Sequence, residues 1–378
     1  MVLEARVGTG KGSNNVKLFL GIKPCECATV TSAGGNSTCI LHSHCFSKFA
    51  ENMLSIQLQC CILLGSLASV QPDIITQFSS EWSHTDTWSW NLSFPSCSGH
   101  YQSPVDLRSR NAVYNSQLGP IQFVAAPGFQ PNNVFYDVLN NGHTVVILFD
   151  EDQWNAVITP DGDQYEIMQM HFHWGSTDGR GSEHLLEGRR FPMETHIVSY
   201  NKRLYSTRVD AIAGPNGLAV FGILHTLDDR APDTETQFGI MIHIEEALRS
   251  ATYAGQSWYI PGFSLTDLLS QVNTSTYFRY HGSLTTPPCT ENVMWTVFMK
   301  PIPIKSTQLS LLRNLRSSSY NVAEMLYDNY RPTQLINGPQ TPLRRCVFKS
   351  VPGSAVSKIS DFSITLASIL MVFVNNLL

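Results

Sequence analysis

The sequence predicts a mainly β, single-domain protein between about residues 80 and 347. Short runs of β-branched and aromatic residues alternate with clusters of Gly, Pro, Asn and Asp, which is the pattern of many short strands. The runs are HTVVILF, EIMQMHFHW, ETHIVSY, LAVFGIL and ENVMWTVFM. No Gly/Ser linker, repeat or low-complexity segment divides this region. Helical periodicity is scarcer: STQLSLLRNL is the best candidate, and residues 263–272 form another.

Composition limits the possible partners. A chain of 378 residues that is 43% hydrophobic and 15% charged can bury a large core. Its formal net charge is -5 and it contains no long run of Lys or Arg, so it lacks the basic surface that nucleic acid requires. The acidic excess is too small to indicate disorder. We therefore expect no nucleic-acid partner.

The nine cysteines are unevenly distributed. Six lie in the first 61 residues, which leaves Cys97, Cys289 and Cys346 for the rest of the chain. Isolated cysteines in a cysteine-poor domain suit one long-range disulfide in an exported protein, or inert buried thiols in a retained one. Localisation decides between these alternatives.

An apolar run that starts at Met53 resembles a signal peptide. It reads MLSIQLQCCILLGSLAS and ends in small residues at Ser66 and Ala68, as a signal core and cleavage site do. Because signal peptides act near the N-terminus, we hypothesise that Met53 is the true start. Residues 53–68 are then the signal peptide, and residues 1–52 are a non-native or disordered leader. The alternative is a buried helix that follows a disordered leader.

The carboxyl end, residues 348–378, indicates a lipid anchor. A small, polar stretch precedes an apolar run from Phe362 to Val374, which is shorter than the roughly 20 residues that a spanning helix needs. This pattern predicts a GPI-attachment signal. The predicted site region is Gly353, Ser354 and Ala355. We expect the chain at the extracellular face of the plasma membrane, held to the outer leaflet by the lipid; secretion or a single terminal membrane helix are the alternatives.

Two tripeptides are acceptors for N-linked glycans if the chain enters the secretory pathway. They begin at Asn91 and Asn273 and read Asn-Leu-Ser and Asn-Thr-Ser. Such tripeptides are common by chance, so they support export only weakly.

Three histidines predict a metal site. Because strand side chains alternate, His171 and His173 share one face of a strand with Gln169, and His196 shares a face of another strand with Glu194. If the strands are neighbours, the three rings meet. Three neutral imidazoles with an open fourth position form a catalytic zinc site, in which the pKa of a bound water falls to roughly 7. Gln169 and Glu194 are placed to hydrogen-bond the outer ring nitrogens.

The pattern His-x-His has an ordinary alternative. Two half-buried histidines that are satisfied by hydrogen bonds occur more often than a metal site when such a pair stands alone. The chain contains no HExxH motif, which disfavours a metalloprotease.

Several motifs, in order along the chain, resemble the α-carbonic anhydrases. They are NNGHTV at 140–145, QMHFHWG, GSEH at 181–184, ETHIV and GSLTTPPCTENVMW at 282–295. The resemblance extends from about Trp82 to Pro332. It implies an α+β fold with a large, twisted, mostly antiparallel sheet of about ten strands and short surface helices. It also implies zinc at the base of a conical cleft, and the interconversion of carbon dioxide and bicarbonate.

The resemblance assigns roles to individual residues. It implies that His171, His173 and His196 hold Zn2+. Thr285 would accept a hydrogen bond from the attacking oxygen while donating its own proton to Glu183, which turns the oxygen lone pair towards carbon dioxide. His143 would carry the released proton to solvent, since histidine titrates near neutral pH.

The remaining implied residues surround this centre. Asn329 would support the ligands, Thr286 would receive bicarbonate, and a disulfide between Cys97 and Cys289 would brace the turn that carries Thr285. The apolar substrate pocket is implied to consist of Val198, Val220, Leu284, Val293 and Trp295. Cys346 has no role in this scheme.

One position of this chain departs from the pattern of the family. The family's usual Trp-x-Tyr is Trp82-Ser83-His84 here, so a tyrosine hydroxyl that normally joins the solvent network towards His143 is missing. The alternative function is that of a catalytically inactive, anhydrase-like protein for binding or adhesion at the cell surface. Inactive members of the family lack at least one ligand histidine, whereas all three are present here.

Overall fold

The computed structural model describes residues 2–8, 17–23, 82–158, 163–241, 243–318, 324–336 and 346–351. The chain forms two units, Met1–Pro72 and Asp73–Leu378. In the first unit, strand β1 (Val2–Gly8) pairs antiparallel with strand β2 (Lys17–Lys23).

Several predictions fall outside the described residues. They concern the signal peptide at 53–68 and the attachment region Gly353, Ser354 and Ala355. The domain boundaries and the nature of residues 1–52 stay predictions. Within the described ranges, no helix has the length and apolar character needed to cross a bilayer.

The second unit is built from short elements. Its strands are β3 (Asp106–Leu107), β4 (Val113–Tyr114), β5 (Gln122–Ala125), β6 (Phe135–Asn140), β7 (Val145–Leu148), β8 (Trp154–Ile158), β9 (Asp163–Trp174), β10 (Leu185–Leu186), β11 (Met193–Asn201), β12 (Leu218–Leu227), β13 (Ser257–Pro261), β14 (Tyr277–Gly282), β15 (Val293–Phe298), β16 (Ile302–Ile304) and β17 (Phe348–Lys349). Its α-helices are α1 (Trp90–Ser93), α2 (Arg208–Ala213), α3 (Gln237–Ile240), α4 (Ile244–Ser250), α5 (Leu265–Leu268) and α6 (Ser306–Arg313). Its 3-10 turns are His84–Asp86, Pro95–Ser98, Ser109–Asn111, Pro131–Asn133 and Asp233–Glu235.

Thirteen of the described strands form one sheet, in the order β13-β6-β7-β9-β11-β12-β15-β14-β17-β4. Strand β8 pairs with β9 and β5, and β16 pairs with β12. Most neighbours are antiparallel; β12 is parallel to β15 and β16, and β17 is parallel to β4.

The predicted mainly β, single-domain class is confirmed. The sheet exceeds the expected ten strands because it includes strands of two to four residues, too short to show an alternating pattern in the sequence.

The longer predicted elements are confirmed. The five β-rich runs correspond to β7, β9, β11, β12 and β15. The segment STQLSLLRNL forms α6, which buries three leucines on one side. Residues 263–272 contain only the four-residue helix α5, whose start is capped by the Ser264 side chain accepting from the Asp267 amide at 3.2 Å.

Alternation along the central strands separates two cores. On β11, Ile197 belongs to a cluster that includes Leu248 of α4 and Leu309 of α6, so the helices cover this face. The next residue, Val198, belongs to a different cluster on the opposite face. Since His196 and Val198 are two residues apart, His196 projects to the face of Val198, opposite to the face that α4 and α6 cover.

The predicted disulfide between Cys97 and Cys289 is confirmed. It joins positions separated by 192 residues and packs in a small buried cluster with Trp90. The amide of Cys289 donates to the carbonyl of Thr286 at 2.9 Å. The cross-link therefore ties the start of the domain to the turn that follows Thr285.

We predict that the double variant Cys97→Ser/Cys289→Ser loses about 2–5 kcal/mol of stability, because the cross-link closes a long loop and restricts the unfolded chain. Denaturant unfolding of both proteins, followed by tryptophan fluorescence, measures the difference. Wild-type protein in a reducing agent is the control and should lose a similar amount. Equal unfolding free energies with and without the cross-link would contradict the prediction.

Candidate metal centre

Two neighbouring strands bring the three predicted ligands together. His171 and His173 lie on β9, and the antiparallel register places His196 of β11 directly opposite His171. The ring centroids are 5.0 Å apart for His171 and His173, 5.1 Å for His171 and His196, and 4.6 Å for His173 and His196. One potential ligand atom from each ring lies within 4.8 Å of the others. The condition set by the sequence, that the two strands be adjacent, is met.

The outer ring nitrogens of the β9 histidines carry protons. His171 Nδ1 donates to Gln169 Oε1 at 2.8 Å, and His173 Nδ1 donates to the backbone carbonyl of Asn329 at 2.7 Å. Both partners are carbonyl oxygens, which only accept, so each proton sits on Nδ1. Burial is the main cause that holds the pKa of His171 well below its usual range, and electrostatic repulsion from the neighbouring rings adds to it. Burial also lowers the pKa of His173. Each ring is neutral and presents an Nε2 lone pair to the cluster.

His196 is oriented the other way round. Its Nε2 donates to Glu194 Oε1 at 2.8 Å, which leaves the Nδ1 lone pair for the cluster. Glu194 also accepts from His184 Nδ1 at 2.7 Å and from the amides of Glu183 and His184 at 2.9 and 2.8 Å. Burial opposes ionisation of this carboxyl, but electrostatic attraction to the His184 and His196 rings and the hydrogen bonds from them outweigh it and hold the pKa of Glu194 well below its usual range. An ionised, fully bonded carboxylate thus fixes this ring.

The inner atoms of the cluster form a site that suits a cation. His173 Nε2 and His196 Nδ1 face each other at 3.1 Å with lone pairs on both. Glu183 Oε2 lies 3.6 and 3.8 Å from these two nitrogens and is buried with no hydrogen-bond partner among the described residues. Electron-rich atoms at these distances repel one another unless a positive charge lies between them. Three neutral imidazoles are a donor set that fits a divalent transition metal, zinc included.

A second group of possible ligands, His184, Glu194 and His196, is less suited to a metal. Its nitrogens and oxygens already bond to one another, and His184 Nε2 pairs with the Tyr280 hydroxyl at 2.6 Å. These contacts use the atoms that a metal would need. The group therefore holds the His196 ring through its outer nitrogen, on the side away from the cluster.

A cleft of about 430 Å3 opens onto the three histidines. The sequence-predicted substrate residues that line it are Val198, Val220, Leu284, Trp295, Thr285 and Thr286. Val293 is an exception: it is buried in the adjacent core cluster, and Leu218, its partner on the parallel strand β12, borders the cleft instead. The cleft therefore has an apolar wall close to the candidate metal centre.

Glu183 and Thr285 are both buried beside the cluster. Glu183 Oε1 accepts from the amide of Arg331 at 2.8 Å, while Oε2 has no hydrogen bond among the described residues. The implied hydrogen bond from Thr285 to Glu183 is therefore not formed here and stays a prediction.

His143 lies at the cleft on the loop between β6 and β7. Its ring stacks on Trp82 with a centroid distance of 3.8 Å and an interplanar angle of 11°. The side-chain oxygen of Asn141 accepts from the amides of His143 and Thr144, and Asn329 Nδ2 donates to the His143 carbonyl at 3.0 Å. Asn329 thus connects this loop with the metal-ligand strand.

Sequence reasoning missed several supporting residues. His184 stands in the motif GSEH, so a signal was present, but its bond to Glu194 was not expected. The motifs give no indication of Arg331, which acts through its backbone amide. Val146 and Leu148 extend the apolar wall from β7, and their two-residue spacing in HTVVILF was the available signal.

Comparison with known proteins gives one consistent family. A family model for eukaryotic-type carbonic anhydrases matches residues 83–344. The chain is 36% identical over 267 residues to carbonic anhydrase 6 of Bos taurus, which covers 69% of this chain and 79% of that protein. It is 36% identical over 250 residues to carbonic anhydrase 12 of Homo sapiens, covering 66% and 65%. It is also 34% identical over 264 residues to the carbonic anhydrase-related protein of Homo sapiens, covering 67% and 87%.

We predict that the purified chain binds one divalent transition-metal ion, and that His196→Ala abolishes this binding. Glu194→Gln should weaken affinity by about 10–100-fold, because the neutral amide no longer fixes the His196 ring as a carboxylate does. Elemental analysis and competition with a chromophoric chelator measure both effects. His100→Ala, which removes an exposed histidine away from the cleft, is the control. Unchanged metal content in His196→Ala would refute the assignment.

Proposed function

Since the chain belongs to the eukaryotic-type carbonic anhydrase family, we propose that it is a zinc-dependent lyase that reversibly hydrates carbon dioxide to bicarbonate and a proton. The observation that carries the proposal is the convergence of three neutral imidazoles on one point at an apolar cleft. An open metal position beside an apolar wall suits a small uncharged substrate that must meet a nucleophile.

In this proposal, His171, His173 and His196 hold Zn2+. Zinc with three nitrogen ligands and an open position lowers the pKa of a bound water to about 7 and so supplies a nucleophile at neutral pH. The outer acceptors Gln169 and Glu194, with the Asn329 carbonyl, keep each ring in the tautomer that ligation needs. The choice of zinc over other divalent metals is part of the proposal.

Thr285 and Glu183 are proposed to orient the attacking oxygen. Glu183 Oε1 is already held by the Arg331 amide, so Oε2 is the atom available to accept the Thr285 proton. A threonine hydroxyl whose proton is committed to a carboxylate acts only as an acceptor towards the attacking oxygen. That constraint directs an oxygen lone pair at the substrate and reduces the entropy lost on reaching the transition state.

The residues that line the cleft are proposed to bind carbon dioxide and bicarbonate. Val198, Val220, Leu284 and Trp295 hold carbon dioxide beside the metal by excluding water from that side. Thr286 receives bicarbonate.

His143 is proposed to carry the released proton. An unperturbed imidazole titrates at about pH 6.5, so it can both accept and release a proton near neutral pH. Its place at the cleft, stacked on Trp82, supports this role.

A second candidate is a binding or adhesion protein with this fold and no catalysis. The similarity to the carbonic anhydrase-related protein of Homo sapiens keeps this candidate open. The complete set of ligand histidines with their outer acceptors favours the enzyme, since a protein without metal chemistry has no need to hold three lone pairs face to face.

We predict sulfonamide-sensitive hydration of carbon dioxide by the zinc-loaded chain, and its loss in His196→Ala because the metal is no longer held. Stopped-flow measurement with a pH indicator, together with zinc analysis of the same samples, is the test. His100→Ala should match the wild-type rate. A folded protein that contains one zinc ion per chain but does not hydrate carbon dioxide would eliminate the enzyme and leave the binding protein.

We also propose that the chain is exported and held at the outer membrane leaflet by a GPI anchor in the region of Gly353, Ser354 and Ala355. Three observations support export: the disulfide, which suits an oxidising compartment, and the exposed positions of Asn91 and Asn273, the two glycan acceptors. Secretion and a single terminal membrane helix are the alternatives.

We predict that phosphatidylinositol-specific phospholipase C releases the protein from intact cells, because the enzyme cleaves the lipid and leaves the chain whole. Surface labelling and immunoblotting of the medium measure release. A chain truncated after Val351 is the control and should enter the medium without the lipase. Retention of the full chain after treatment would instead indicate a membrane-spanning helix.

A further inference from the structure

The outer side of helix α1 (Trp90–Ser93) is apolar and exposed. Trp88 and Leu92 are 85% and 82% exposed, more than any other large hydrophobic side chain among the described residues. Ser89, which precedes the helix, already has right-handed helical backbone angles (φ -83°, ψ -10°), and the Leu92 amide donates to its carbonyl at 2.9 Å. Side chains four residues apart on a helical turn are neighbours. A tryptophan and a leucine that are adjacent and this exposed indicate an interaction surface.

The opposite side of the same turn is fixed to the domain. Trp90 is only 2% exposed and packs in the small cluster that contains the disulfide. Its indole N–H donates to the carbonyl of Ser83 at 2.9 Å, and the guanidinium carbon of Arg331 lies 5.6 Å from its ring centroid. Trp88 and Leu92 stand two positions before and after Trp90, which places them on the far side of the turn. They cannot turn inwards while Trp90 stays buried.

The glycan acceptor Asn91 shares this outer side. It follows Trp88 by three residues and directly precedes Leu92, and both Asn91 and Ser93, the hydroxyl residue of the tripeptide, are exposed. Residues three apart on a helical turn are neighbours, so a sugar on the Asn91 amide nitrogen begins beside the Trp88 indole. The face of an aromatic ring is negative and attracts polarised C–H bonds, which one face of a pyranose ring supplies. A sugar on Asn91 therefore has an apolar surface of matching chemistry within reach.

The second acceptor, Asn273, has no such neighbour. The residue three positions before it is Ser270, and its own side-chain oxygen accepts from the Ser275 amide at 3.1 Å. The two acceptors thus differ in the surface that adjoins them. Asn273 serves as a matched control for Asn91.

We propose that Trp88 binds the first N-acetylglucosamine of a glycan on Asn91, and that this sugar stacks on the indole and covers the apolar surface formed with Leu92. The inference rests on the export proposed above and is independent of catalysis. Trp90 holds the turn from inside, and the stacked sugar holds it from outside. The glycan therefore stabilises the start of the domain, which includes Cys97 of the disulfide.

The full chain purified from animal cells allows a direct test of the contact. Mass spectrometry of glycopeptides should find Asn91 occupied in wild type and in Trp88→Ala. With 13C-labelled sugars, NMR should show protons of the first sugar on Asn91 displaced by the ring current of the indole, and Trp88→Ala should abolish the displacement. The sugar on Asn273 should show no displacement in either protein. Asn91→Gln and Asn273→Gln assign the signals, and the readout depends on neither activity nor stability.

A double-mutant cycle measures the coupling between sugar and indole. Asn91→Gln should raise the equilibrium constant for unfolding about threefold to tenfold, because the stacking contact is lost. In the Trp88→Ala background the same substitution should have little effect. Asn273→Gln should have the same effect in both backgrounds. Trimming with an endoglycosidase that leaves only the first sugar should preserve the coupling.

Several results would overturn the proposal. One is an occupied Asn91 whose sugar signals do not depend on Trp88, and another is an equal effect of Asn91→Gln in both backgrounds. Binding of the glycosylated chain to phosphatidylcholine vesicles that is lost in Trp88→Ala would show that lipid covers the surface instead. An unoccupied Asn91 beside an occupied Asn273 overturns this inference and leaves export intact. A chain that is unmodified at both positions and retained inside the cell removes export as well.

Discussion

The candidate metal centre depends on hydrogen bonds that point away from it. Each of the three histidines donates its outer ring proton to an oxygen that only accepts, and a neutral imidazole with one proton fixed outside has its lone pair fixed inside. A metal ion at this point would therefore meet two Nε2 atoms and one Nδ1 atom. Without these acceptors the rings could adopt either tautomer, and the three lone pairs would not be preorganised to face one another.

The surrounding fold holds those acceptors in place. Glu194 joins His196 to His184, and His184 continues to Tyr280, whose hydroxyl donates to Ser103 at 3.0 Å. Every member of this chain is buried, so each bond replaces water that the site cannot admit. The disulfide acts at longer range, because it ties the turn after Thr285 and Thr286 to the start of the domain. The supports of the candidate site therefore belong to the buried core of the domain.

The sequence predicted the structural features that depend on residues close together in the chain, and it missed those that depend on very short elements or on neighbouring strands. Strands β9 and β11 were predictable because the alternation of side chains along a long β-rich run is a local property. The same alternation puts His171 and His196 on one face of the sheet once the two strands pair. Strands of two or three residues and the shortened helix α5 were not predictable, since so few residues carry no period. Val293 shows a further limit: an apolar strand residue can lie fully in the core while its register partner on the neighbouring strand, Leu218, borders the cleft.

By itself, the sequence determined which residue types were available and which strand face each would occupy, because side-chain alternation needs only the local backbone. It could not determine the partners that come from distant backbone. The carbonyl of Asn329 lies 156 residues beyond His173 in the chain, and the Arg331 amide that binds Glu183 is 148 residues away. Backbone groups are the same in every residue, so no side-chain pattern marks them. Only the folded chain decides which carbonyl or amide reaches the centre.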